Sequence, residues 1–475
     1  MTRRFVIPVS CLALLVVLLG AARRVTAQHG AQQKNMRLVG HDDLQARSAY
    51  QPLVVKQGNR FIAYVGHHGG AAPNPLTGRA EPNGTSIVDV TDPRKPRYLH
   101  HIPGAPGGAE SGGAQMVRVC DLAGGKTYLL RTFGNAGHEV WDVTHPAQPA
   151  HVSTVVSGLD ATHKNWWECH TGIAYLVSDG RPAGWRTNRM TKIYDLSDPA
   201  RPKFIRDFGL PGQQSGSSGE PVPEGVHGPI SYGNRVYFPY GTSQNGVLQI
   251  VDREKLLKGN PNAADPFAPT VENLLYPQIG RLDMPPDWGG HTSFPVLGVP
   301  VSEFGPNPKG KVRDVVVLVS ESTANECQEF RHLTFLVDVT TESKPFPVAT
   351  YQVPVASGDF CRRGGRFGPH STSESFTPLY YGKLVFVAYF NAGVRAVDIR
   401  DPFNPREAGF FIPATTAKTD KRCVKIEGVE RCKVAIQTNN VEVDERGLVY
   451  LADRANTGLH IVELTGPAAK IATQP

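Results

Sequence analysis

The sequence predicts an all-β fold, a seven-bladed β-propeller of four-stranded antiparallel blades closed by an N-terminal strand. Three observations predict it. One short phrase, an apolar strand ended by an acidic residue and then a Pro-containing turn, recurs seven times. Gly (49) and Pro (39) are spread along all 475 residues, as many short strands joined by turns require. The last copy lacks a following strand, while an apolar strand without a partner precedes the first.

The clearest copies are Ser86-Ile87-Val88-Asp89-Val90, Glu139-Val140-Trp141-Asp142-Val143, Lys192-Ile193-Tyr194-Asp195-Leu196 and Arg395-Ala396-Val397-Asp398-Ile399. Each is followed by a turn carrying Pro93, Pro146, Pro199 or Pro402, and three residues later by a second proline. Weaker copies are Gln249–Asp252, Phe335–Val339 and His460–Leu464. Proline fixes φ and cannot extend a ladder, so it ends each strand sharply. Upstream lies a second strand rich in β-branched and aromatic residues, such as Arg235–Tyr240 or Leu384–Phe390, entered through Gly233-Asn234 or Gly382-Lys383. A single such meander cannot bury both faces, so the copies must pack radially. The blades fall at 45–103, 108–157, 160–210, 224–284, 289–354, 368–413 and 435–475, the last completed by 35–41. That returning strand ties the ring shut and removes an exposed edge.

Residues 1–27 have the form of a signal peptide: Arg3 and Arg4, an apolar run from Phe5 to Ala22, then the small-residue site Val25-Thr26-Ala27. An uncleaved anchor is the alternative reading, but Pro8 and Ser10 interrupt a run barely long enough to span a bilayer. The expected mature chain, 28–475, is a single propeller without a membrane span, in the periplasm or secreted. The formal charge of +7 is diluted, with no basic stripe interleaved with aromatics, which argues against nucleic acid as a partner.

Six cysteines follow the leader, and an even count in an oxidising compartment reads as disulfides. Sequence alone allows fifteen pairings. Propeller topology selects among them. Cys120 and Cys169 fall on the same face of adjacent blades, Cys327 and Cys361 on the opposite face, and Cys423 and Cys432 flank one short loop.

The start of the innermost strand gives Tyr50, Gln115, His163, His227, His291, His370 and Asn440 in successive blades. Four consecutive blades therefore offer histidine at the mouth of one central channel. Clustered imidazole suits copper, iron or zinc, and copper or iron is the expected ion here. Strand B returns to the same face, where Asp179, Tyr240, Glu321, Tyr389 and Asp453, together with Asn440, are expected to support the ligands, with Arg131 and Arg454 nearby. His170 is a rival ligand, but its turn belongs to the other face, whereas His67, His68 and His138 lie in loops on the histidine face. The competing reading is structural: a histidine at a strand start can hydrogen-bond the next blade and lock the ring.

The repeated phrase resembles the bacterial LVIVD-repeat propellers over nearly the whole mature chain, which implies the architecture and leaves the activity open. The channel histidines, with His163-Lys164-Asn165-Trp166-Trp167-Glu168-Cys169-His170, are similar to the selenium-binding protein/methanethiol oxidase group. That resemblance implies a copper-dependent enzyme, although the group's reactive N-terminal cysteine motif is absent. Carotenoid-cleaving oxygenases share the geometry alone, iron held by four histidines in a seven-bladed propeller. Two functional classes fit: a metal-dependent oxidoreductase acting on a small molecule at the channel mouth, or a non-catalytic exported propeller that recognises a protein or glycan. No Gly-x-Ser-x-Gly elbow or phosphate loop is present, and 212–219 reads as a flexible connector.

Overall fold

The computed structural model describes residues 30–122, 124–301 and 311–473; the expected leader, 1–27, lies outside the described residues. Seven antiparallel sheets surround one axis, each running from an innermost strand A to an outer strand D. Blade one is Ala49–Gln57, Arg60–His68, Gly84–Asp89 and Arg97–Pro103. Blade three is Thr162–Trp167, Ile173–Ser178, Met190–Asp195 and Lys203–Phe208. The outer strand of blade seven is Met36–Asp42, hydrogen-bonded to Gly458–Leu464 in the register Met36 to Leu464 and Asp42 to Leu459. The N-terminal strand thus closes the ring, and Arg37 Nε donates to Glu463 at 2.8 Å across the seam. Gln32–Lys34 adds a fifth strand to blade six.

The recurring aspartate has one job in most blades. Asp89, Asp142, Asp195, Asp338 and Asp398 each accept a hydrogen bond from the backbone N–H two residues on, at 2.8–3.1 Å. A short acceptor that bonds its own backbone at this offset initiates a turn, so the phrase ends strand C and aims the chain into strand D. Asp252 instead accepts from Lys255 N and caps the helix Arg253–Lys258, which leads into the longest C–D connection.

Seven apolar clusters hold the described blades, one at each interface. Tyr175 and Ile193 of blade three meet Val236 and Phe238 of blade four. At the seam, Ala63 and Val88 of blade one meet Tyr450 and Ile461 of blade seven. Closure therefore uses the same apolar packing as every other interface, and the channel is left to polar side chains.

The structure joins Cys120 to Cys169, Cys327 to Cys361 and Cys423 to Cys432. The third bridge crosses a two-stranded hairpin, Lys421–Ile426 with Val429–Val434, where the two cysteines face each other in register. Among the described residues no helix is long and apolar enough to cross a membrane.

Candidate metal centre

Each channel histidine opens strand A of its blade. The backbone N–H of His227, His291 and His370 donates to Pro239, Val319 and Ala388, at the end of strand B, at 2.7–2.9 Å. In blades one, three and seven the A–B register slips at the corresponding place, between Ala49 and Pro52, Thr162 and Asn165, and Thr438 and Asn440. A bulge at a strand end re-aims a side chain.

The four imidazoles form an arc round the axis. Ring centroids are 4.5 Å apart for His163 and His227, 3.4 Å for His227 and His291, and 4.5 Å for His291 and His370. Blades two and one continue the circle with Gln115, whose Nε2 is 3.3 Å from His163 Nδ1, and Tyr50, whose hydroxyl reaches past blade seven to 3.4 Å from His370 Nε2. All six side chains are buried.

One ligand atom each from His291, Glu321 and His370 lie within 4.8 Å of one another, a grouping able to hold a metal ion. Glu321 is 3.6 Å from His291 Nε2 and 3.7 Å from His370 Nε2, so it stands at ligand range rather than behind the rings, as its place in the repeat suggests. Its second partner is Arg366, at 2.8 Å. Burial raises the Glu321 carboxyl above its ordinary range, opposed by Arg366 and Arg454.

The protonation pattern favours free lone pairs. Burial holds all four imidazoles well below their ordinary range, so they are neutral. His370 Nδ1 donates to the Asn439 carbonyl, which leaves Nε2 as a lone pair facing the axis. His291 contacts Thr292 Oγ1 through Nδ1 at 2.9 Å, while its buried Nε2 has no hydrogen-bond partner among the described residues. A buried imidazole nitrogen without a partner is costly unless a ligand meets it.

Five expected supporting residues are engaged elsewhere. Asp179 pairs with Arg181, two residues on, at 2.8 Å. The Tyr240 and Tyr389 rings turn into the blade interfaces, and their hydroxyls meet Gln249 Oε1 and Val353 N. Asn440 bonds Gln51 and Asn439. Asp453 accepts from the N–H groups of Gln437 and Ala455 at 2.8 and 2.7 Å, and its burial lifts the carboxyl to about 6. Arg131 is tied to Glu139 at 2.6 Å. His67 and His138 bond Ser86 and the Val177 carbonyl, His170 lies in an exposed turn, and His68 packs at a tilt against Tyr50 with centroids 4.5 Å apart.

Also within the ring is an ionic cluster that the sequence reading missed. Glu374 accepts from both Arg118 and Lys164, and all three are buried. Glu442 shares this environment; desolvation first, and the repulsion of Glu374 next, raise it to about 8. Lys164 follows His163 directly in strand A, so adjacent residues of one strand serve the two clusters, whereas Glu442 lies two residues beyond Asn440, on the same side of its strand.

No protein-family model matches the chain, and none of the curated proteins compared with it matches either. Among solved structures the chain is similar to Kuenenia stuttgartiensis hydrazine synthase, at 11% identity and a TM-score of 0.47, over 87% of this chain and 95% of that one.

Proposed function

We propose that this is an exported LVIVD-type propeller that binds one copper or iron ion among His163, His227, His291, His370 and Glu321, and uses it to oxidise or reduce a small molecule at the channel mouth. The observation that carries this reading is the buried group of His291, Glu321 and His370, with ligand atoms within 4.8 Å and the His291 Nε2 lone pair unpartnered among the described residues. Neutral imidazoles with one carboxylate suit copper and iron. The ion would supply one-electron chemistry and a Lewis-acidic position. The chain's own residues do the rest: blade starts fix the ring directions, the Asn439 carbonyl sets the His370 tautomer, and the apolar interfaces keep the arc rigid. Export is supported by the leader's composition and by six cysteines all paired.

Metal analysis of protein purified without a histidine tag tests the reading. About one equivalent of copper or iron per chain is expected. Protein that stays metal-free after anaerobic reconstitution with both ions would overturn it, and the mouth would then belong to a binding module.

A further inference from the structure

Beside the histidine arc the mouth opens as a cavity of about 400 Å³ whose charged lining is Glu110, Arg366, Asp420, Arg422 and Arg454, with His68 among them. Most of these charges are matched. Glu110 pairs with Arg189 at 3.1 Å, Glu321 with Arg366 at 2.8 Å, and Asp420 with Arg422 at 3.6 Å. Arg454 is the cation on which these acids, Glu321 and Glu110, act only through space. It is only 7% exposed, yet among the described residues no hydrogen bond or ion pair engages its guanidinium. It lies over the face of Phe390, 4.7 Å away, and the Arg366 guanidinium lies over the same ring at 5.4 Å.

Two like charges gathered on one buried ring repel unless an anion joins them. Desolvation and then Arg366 pull the Arg454 pKa down, and the Glu321 carboxylate opposes them. Nor is the backbone placed to withdraw. Arg454 N donates to the Gln437 carbonyl at 3.1 Å, and its own carbonyl accepts from Ser48 Oγ at 2.9 Å and Arg422 Nη2 at 3.0 Å. Phe390 holds a left-handed φ of +42°, an unfavourable conformation for a bulky residue that such surroundings must enforce.

We propose that the mouth binds one small monoanion, a carboxylate or comparable oxyanion, between the guanidiniums of Arg454 and Arg366. Planar guanidinium presents paired donors that match a carboxylate edge, and Glu321 ties Arg366 to the histidine arc. The use of this anion as substrate anchor rests on the metal reading; its binding does not.

Calorimetric titration of the tag-free protein with acetate and benzoate, against acetamide and benzamide, tests the proposal, with metal content measured on the same samples. At least one carboxylate should bind while its neutral amide does not. Arg454→Gln should weaken that binding roughly 10- to 100-fold, the usual effect of losing a charged hydrogen bond. Should Arg454→Gln fail to fold, Arg366→Gln and Arg454→Lys carry the same test. Equal binding of carboxylate and amide, no binding of either, or carboxylate affinity unchanged in the arginine variants would overturn the site. Arginine-dependent binding by protein that takes up no metal would sustain the anion site and defeat the metal reading alone.

Discussion

His163 and His227 face each other Nε2 to Nε2 across 2.7 Å, although 64 residues separate them. Two neutral imidazoles at that distance need one proton between them, or one ion. With a proton, His163 is the Nε2–H tautomer and its Nδ1 accepts from Gln115 Nε2. With an ion, Nδ1 must carry the hydrogen. Gln115 can then turn its amide and accept through Oε1, which is buried without a hydrogen-bond partner among the described residues. His227→Ala is therefore expected to lose stoichiometric metal while keeping its circular dichroism, because the blades are held by apolar interfaces. Gln115→Leu, which orients a ligand without being one, should lower metal affinity roughly 10- to 100-fold. Unchanged metal content in His227→Ala, measured by elemental analysis, counts against the assignment.

Glu442 gives the ring a pH dependence of its own. Its folded pKa of about 8 lies above the ordinary 4.5. Between those values the folded chain binds more protons at this group than the unfolded chain does. Stability should therefore fall as pH rises through that window and level off above it. Glu442→Gln removes the titration. It should match the parent near pH 5 and exceed it near pH 8.5, by something on the order of a few kcal/mol. Urea denaturation at both pH values checks this; a pH-independent difference would show that the carboxyl is ionised throughout.

Much of this was legible because the fold repeats. Aligning the blades places four histidines, Tyr50 and Gln115 in one column, and propeller topology alone chooses three disulfide pairs out of the fifteen complete pairings. Side-chain direction at the ends of strand B was not legible. Glu321 and Asp179 occupy matching positions, yet Asp179 is captured by Arg181, a local contact that the repeat does not encode. Tyr240 and Tyr389 fall on the parity that faces the neighbouring blade. Glu110, Arg189 and Phe390 sit in connections between strands, whose course has no period to read. Gln437 and Asn439 act through backbone carbonyls, which no residue type announces.

Ring closure has a narrow point at Gly40. A Cβ there would lie 1.8 Å from the carbonyl oxygen of Pro93, in the Asp-Pro turn of blade one. The closing strand is bulged between Leu38 and Gly40, which presses it against that turn. Gly40→Val should destabilise the chain by about 1–3 kcal/mol through overpacking, whereas Gly30→Ala, with nothing within 4 Å among the described residues, should be silent. Thermal unfolding of the two variants compares them directly; equal midpoints would show that the seam yields.

The disulfides should separate stability from the mouth. Cys120–Cys169 closes 49 residues, and Cys423–Cys432 closes 9. Chain entropy then assigns about 4 kcal/mol to the first and about 3 kcal/mol to the second. Their surroundings differ more than their energies. Cys120 lies in the second half of strand A of blade two, Val117–Leu122, and Cys169 lies in the A–B turn of blade three, away from the histidine end of strand A. The hairpin of Cys423 carries Arg422 to the cavity and is pinned to the neighbouring loop by Glu326, which pairs with Arg431 at 2.5 Å and Lys433 at 3.2 Å. Asn325 Nδ2 adds a hydrogen bond to the Cys423 carbonyl at 2.8 Å. Replacing Cys120 and Cys169 by serine should lower stability and leave benzoate affinity and metal content as they are. Replacing Cys423 and Cys432 should cost less stability yet weaken benzoate, because Arg422 supports the Arg454 carbonyl from that hairpin. Parallel titrations and denaturation curves on the two double variants make the comparison, and equal effects on benzoate would separate the hairpin from the anion site.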